Sequence, residues 1–213
     1  MFKTFMPILL ATFALTGFFS VDIILVKHFF PPTVAGLYVA LSTTGKIIFY
    51  AIGPFITVMF PLISSRISNN SPYLAPLLGT LLLSLSVSLG ITLVYILFPQ
   101  IIINILFGSS YTGIIPYLGM FSFFIAVYSI NSILTYFLLS VSYYKPIYFL
   151  FAASLLQGLL ILFFHDSLFE IINVNIITSV IYLFIASFFV ARKEKNGIFY
   201  YLHRIKPVAL YAQ

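Results

Sequence analysis

Long apolar runs, each broken by a few polar or proline-containing residues, follow one another along the whole chain. A helix needs about 20 mostly apolar residues to cross a bilayer. Six runs reach that length, and helices are predicted over 4–27, 34–66, 73–98, 114–141, 146–164 and 168–191. The breaks read KHFFPPT, SRISNNSP, SYYKP and HDS. The segment 99–113 is apolar too, but short and punctuated by Gly108 and Gly113, so it is expected to be interfacial or half-inserted. Helices satisfy their own backbone groups inside hydrocarbon, so consecutive runs of this length favour a helical bundle over a barrel. The expected fold is all-α: a polytopic membrane lobe of six transmembrane helices over 1–191, with a basic tail over 192–213.

Composition strengthens this reading. The chain is 62% hydrophobic and 7% charged, with a mean hydropathy of +1.16. A soluble domain carries about 25% charged residues, so no water-facing surface can be built from this chain. The first run is too long for a signal peptide, contains Asp22, and is followed by no small-residue cleavage site. With no cysteine, disulfides, thiol nucleophiles and iron–sulfur ligation are excluded. Tyrosines stand in for the absent tryptophan at the ends of the runs, among them Tyr73, Tyr111, Tyr117, Tyr143, Tyr144, Tyr200 and Tyr201, as interfacial belts require.

The net charge of +6 would suggest nucleic acid in a soluble protein. Here its distribution follows the membrane, and no nucleic-acid partner is expected. Six spans place both termini on one side, with Lys3, Arg66, Lys145, Arg192, Lys193, Lys195, Arg204 and Lys206. The other side has Lys27, and Lys46 lies within a span. Eight cations against one predicts cytoplasmic termini, and the basic tail also suits anionic lipid heads.

Lys46 is the most informative residue. On a helix it shares a stripe about 80° wide with Ser42, Gly53, Thr57 and Ser64, and with Phe49 and Phe60. A lysine at mid-depth costs roughly 2.5–3.5 kcal/mol, and such residues face a bundle interior or a wet cavity. Three readings compete: snorkelling to an interface, an ion pair with Asp22, or lining a polar cavity that meets an anionic substrate. Ser42 and Thr57 are further candidates for that lining. Gly53 and Pro54 interrupt the helix and supply either a hinge or a static kink.

Other polar residues point to packing. Thr80, Ser84, Ser88 and Tyr95 share one face of the third span, and Ser122, Ser129, Ser132, Tyr136 and Ser140 one face of the fourth. Small hydroxyl residues at this spacing serve close helix contact. Asn131 lies opposite its stripe, and Gln157 is isolated. His165, Asp166 and Glu170 read as a solvated loop, because an adjacent pair lacks the spacing of a metal site. No phosphate-binding glycine loop and no nucleophile elbow is present. Neither an enzyme nor an ATPase is expected, nor any cofactor or bound metal.

The stretch VDIILVKHFFPPTVAGLYVALSTTGKIIFYAIGPFITVMFPLIS resembles the polysaccharide-biosynthesis flippases. These are the oligosaccharide-lipid branch of the superfamily that includes the multidrug and toxin exporters. The matching pieces are Asp22 late in one span, Ala35-Gly36-Leu37-Tyr38 opening the next, Gly45-Lys46, Phe60-Pro61, and Phe107-Gly108 with Tyr111. The resemblance covers essentially the whole chain but only the C-terminal half of a family member, which has two lobes. It implies alternating access in the plasma membrane, with a lipid-linked glycan as substrate and Lys46 meeting its pyrophosphate. It also implies that the cavity is completed by a missing N-terminal lobe or a second copy. Asp22 is the candidate for ion coupling. Two alternatives stand beside it: a non-transporting scaffold of a glycan-assembly complex, and a drug or cation exporter of the same superfamily.

Overall fold

A computed structural model describes residues 2–69 and 71–205, with side chains over 5–69 and 71–193. Its helices are α1 (Phe2–Phe29), α2 (Pro32–Ser68), α3 (Leu74–Leu97), α4 (Pro99–Leu106), α5 (Ile115–Ser140), α6 (Lys145–Phe163) and α7 (Leu168–Ile205). A 3-10 turn, Ser109–Ile114, joins α4 to α5. Among the described residues every regular element is helical, and six helices are long and apolar enough to cross a bilayer. The chain is a multi-pass, all-α membrane protein.

The boundaries follow local chemistry. Pro31 and Pro32 end the first connection and start α2 where a missing N–H costs nothing. The turn after α2 is closed by Arg66, whose guanidinium donates to the Pro72 carbonyl at 2.8 Å. Gly108 has φ +86°, a left-handed conformation that glycine adopts without a Cβ penalty. Its N–H bonds back to the carbonyls of Ile103 and Asn104, both at 3.2 Å. The segment expected to be interfacial is therefore a short helix and a 3-10 turn. α7 does not stop at Ala191 but runs on to Ile205, because arginine, lysine and glutamate are good helix formers. The rest of the basic tail, 206–213, lies outside the described residues.

α5 is the enclosed helix and packs against α2, α3 and α7, while α1 packs on α6 and α6 on α7. Phe121, Phe124, Ile125, Phe137 and Leu138 of α5 are fully buried. The outer surface is apolar, and the largely apolar interior also encloses small polar side chains. Ser84, Ser88, Ser129, Ser132 and Thr135 are buried, whereas Leu82, Leu93, Phe163 and Phe184 face outward. Several buried hydroxyls donate to carbonyls of their own helix, as Ser129 does to Ile125 at 2.8 Å and Ser132 to Tyr128 at 3.0 Å. The small side chains then let helices approach closely. The face predicted for the third span is the buried face of α3, where Tyr95 donates to the Thr44 carbonyl at 2.8 Å. Asn131 donates to the Ser179 carbonyl at 2.9 Å and ties α5 to α7.

The start of α1 and the end of α7 share one end of the bundle, the terminal end, and the short connection from α1 to α2 lies at the other, the far end.

Candidate functional site

Asp22 is fully buried where α1, α2 and α7 meet. One carboxylate oxygen accepts the Ile23 N–H at 2.8 Å. The other accepts the Tyr38 hydroxyl at 2.7 Å and the Asn175 amide at 3.2 Å. Gln157 of α6 extends the cluster, donating to Asn175 Oδ1 at 2.8 Å and to the Phe18 carbonyl at 3.3 Å. A buried carboxyl group without partners costs several kcal/mol, and hydrogen bonds offset that cost. All three groups touching Asp22 are neutral donors.

Lys46 is 7% exposed, and its Nζ lies 4.2 Å from the centroid of the Phe19 ring. Direct pairing with Asp22, one of the three readings of this lysine, is not what forms. Tyr38, which holds Asp22, stands eight residues before Lys46, or about 12 Å along α2. Phe19 precedes Asp22 by one turn and faces the level of Lys46 instead. Its ring belongs to an aromatic cluster with Phe49 at 5.0 Å, Tyr128 at 5.1 Å and Tyr50 at 6.3 Å. The lysine charge still acts on Asp22 through space. A cation over an aromatic face gains about 0.5–2 kcal/mol. This recovers only part of the roughly 2.5–3.5 kcal/mol of placing a lysine at mid-depth.

A groove opens between α1 and α2, with α5 as its floor. Its wider part, of about 640 Å³, is lined by Ala11 and Leu15 of α1, Gly53 and Thr57 of α2, and Tyr136 and Leu139 of α5. A narrower part, of about 220 Å³, shares Thr12, Leu15, Phe49 and Tyr136 with it and reaches Phe19, Tyr128 and Ser132. The groove thus runs from the terminal end to the ring that covers Lys46.

The predicted stripe on α2 divides accordingly. Phe49, Gly53, Thr57 and Phe60 line the groove. Ser42, expected to line it as well, is fully enclosed, and its hydroxyl has no hydrogen-bond partner. Ser42 lies nearer the short connection that holds α1 and α2 together, so no space opens there. Gly53 and Pro54 sit within an unbroken α2, and Thr57 donates to the Pro54 carbonyl at 2.8 Å. His165 is more than a solvated loop residue, for its ring stacks on Phe29 at 3.9 Å.

Sequence reasoning missed Phe19 over the lysine and the shared role of Tyr38, Gln157 and Asn175. A usable signal existed: a carboxyl group inside a span demands donors, and amides within otherwise apolar spans are the ones available.

The fold and these residues define a multi-pass α-helical membrane protein with an enclosed acid and a mid-span cation beside a groove. Comparison with protein-family models, curated proteins and solved structures returns no match.

Proposed function

We propose that this chain is one lobe of a flippase that carries lipid-linked oligosaccharide or polysaccharide precursors across the plasma membrane for cell-surface polysaccharide biosynthesis. The observation that carries the reading is Lys46, enclosed behind the Phe19 ring at the head of the groove, with that ring rather than a carboxylate as its neighbour. No carboxylate holds that charge, so a shift of the Phe19 ring would present it to a pyrophosphate, which a lysine meets as a point charge. The largely apolar groove below suits a polyprenyl chain, and the excess of cations at the terminal end supports cytoplasmic termini. A second surface, from an N-terminal lobe or another copy, closes the groove opposite α5. Asp22 responds to an ion or proton and biases the packing of α1 against α7. The exporter alternative is less well supported, because the one acid in this region is enclosed away from the groove.

Deleting the gene and measuring lipid-linked glycan in the inner leaflet tests the proposal. Accumulation there, with loss of surface glycan and restoration by the intact gene, is expected. Unchanged surface glycan and no accumulation would refute it.

A further inference from the structure

A second cavity, of about 650 Å³, lies between α6 and α7 at the terminal end and is lined by Tyr143, Lys145, Tyr148, Phe149, Phe189 and Arg192. It shares no lining residue with the α1–α2 groove. Lys145 and Arg192 bring two cations to it, and Lys193 adds a third, with Nζ 5.8 Å from the centroid of the Tyr143 ring. The acids with described side chains are remote: Asp22 is enclosed, and Asp166 and Glu170 belong to the far end. No described carboxylate neutralises this cluster.

The remaining walls are aromatic. Phe189 of α7 packs 5.5 Å from Phe149 and 6.0 Å from Tyr143, so the rings bridge the two helices beneath the cations. Ser142 holds the preceding turn in a left-handed conformation, φ 53°, and the Tyr143 N–H bonds to the Leu138 carbonyl at 2.9 Å. This reversal sets Tyr143 and Lys145 beside α7. The depth is also defined. α6 begins at Lys145, and the apolar span of α7 ends at Lys193. The cations therefore stand at headgroup level, while Tyr148 and Phe149, 59% and 47% exposed, face the hydrocarbon below.

We propose that this cavity binds an anionic phospholipid of the leaflet at the terminal end. Lys145 and Arg192 engage the phosphate, Arg192 through its planar fork of donors. Lys193 supplements the field, and an acyl chain lies along Phe149 and Phe189. Basic pockets between membrane helices take lipid headgroups for these reasons. A soluble anion would leave the aromatic wall unused, which is why a lipid is favoured over free phosphate. The site is independent of the flippase reading.

The test is native mass spectrometry of the full chain in detergent, titrated with phosphatidylglycerol or phosphatidylcholine. The double variant Lys145→Gln/Arg192→Gln is compared with Lys27→Gln/Arg66→Gln, which removes the same charge elsewhere. Each basic residue removed from the cavity is expected to weaken phosphatidylglycerol retention roughly fivefold, so the cavity variant loses about 25-fold and the control little. If the double variant does not fold, Arg192→Gln alone carries the test at about fivefold. Equal retention by cavity and control variants, or equal binding of phosphatidylcholine, would overturn the proposal. Full displacement by inorganic phosphate at the same concentration would make this an anion site rather than a lipid site and would also overturn it.

Discussion

Gly45 offers a test of how α2 seats on the central helix. A Cβ at this position would run into Phe121 Cδ1, with Cε1 of the same ring at 2.8 Å and Ile125 Cγ1 at 3.5 Å. Phe121 has little room to withdraw. It is fully buried, with Tyr38 edge-on at 5.8 Å and Phe124 at 5.5 Å. Tyr38 is itself anchored by its hydrogen bond to Asp22. Overpacking a site of this kind costs about 1–3 kcal/mol. Replacing a helical glycine by alanine also gains up to about 1 kcal/mol in helix propensity, which would mask part of the cost. Gly36, on the same helix, cancels that term, since a Cβ there meets nothing within 4 Å. Gly45→Ala is therefore expected to be less stable than Gly36→Ala by about 1–3 kcal/mol. Unfolding in mixed micelles, followed by circular dichroism, measures the difference without tryptophan, which the chain lacks. Equal stabilities would mean that α2 does not approach α5 through Gly45.

Three further outcomes are expected. Tyr38→Phe removes the hydroxyl that donates to Asp22 and accepts from Asn175, at a cost of about 1.5–3 kcal/mol in the same unfolding assay; no change would show that this contact carries no weight. Gly53→Ala meets no steric obstacle and leaves stability unchanged or raised, yet slows glycan export if the helix bends there; unaltered export would remove Gly53 and Pro54 from the mechanism. Because the chain has no cysteine, single-cysteine variants report topology without background: Asp166→Cys is expected to react with an impermeant maleimide in intact cells and Ser68→Cys only after permeabilisation, and the reverse pattern would invert the orientation.

The six spans were legible because the bilayer imposes a length and a hydropathy that each run must meet alone. Helix ends moved by only a residue or two wherever proline or a polar break marked them, as at Pro32 and Lys145. The end of α7 moved much further, since no proline stands between Ala191 and Ile205 and the helix runs through Asn196 and Gly197. The polar face of the third span was legible as a packing surface because its spacing is a property of one helix, whereas Ser132 and Tyr136 of the fourth span's face border the groove instead. What could not be read was contact between helices distant in sequence. Asp22 and Asn175 lie 153 residues apart, and no periodicity relates them. The stripe on α2 put Ser42 and Thr57 forward together as lining residues and Gly53 as a hinge, yet could not show that Gly53 and Thr57 border the groove while the space closes before Ser42. That depends on where α1 lies, and on Phe19 filling the gap at Lys46.

Replacing Lys46 most directly tests whether its charge serves transport. Lys46→Met keeps the length of the side chain and removes the cation. Because the Phe19 contact recovers only part of the cost of burial, the variant is expected to fold as stably as the wild type or more so. Inner-leaflet lipid-linked glycan would be measured in cells carrying wild type, Lys46→Met or Lys46→Arg. Accumulation is expected with Lys46→Met at normal protein levels, and at least partial export with Lys46→Arg. Wild-type export by Lys46→Met would contradict a role in transport, leaving the lysine a packing residue and the groove without its anion-binding head.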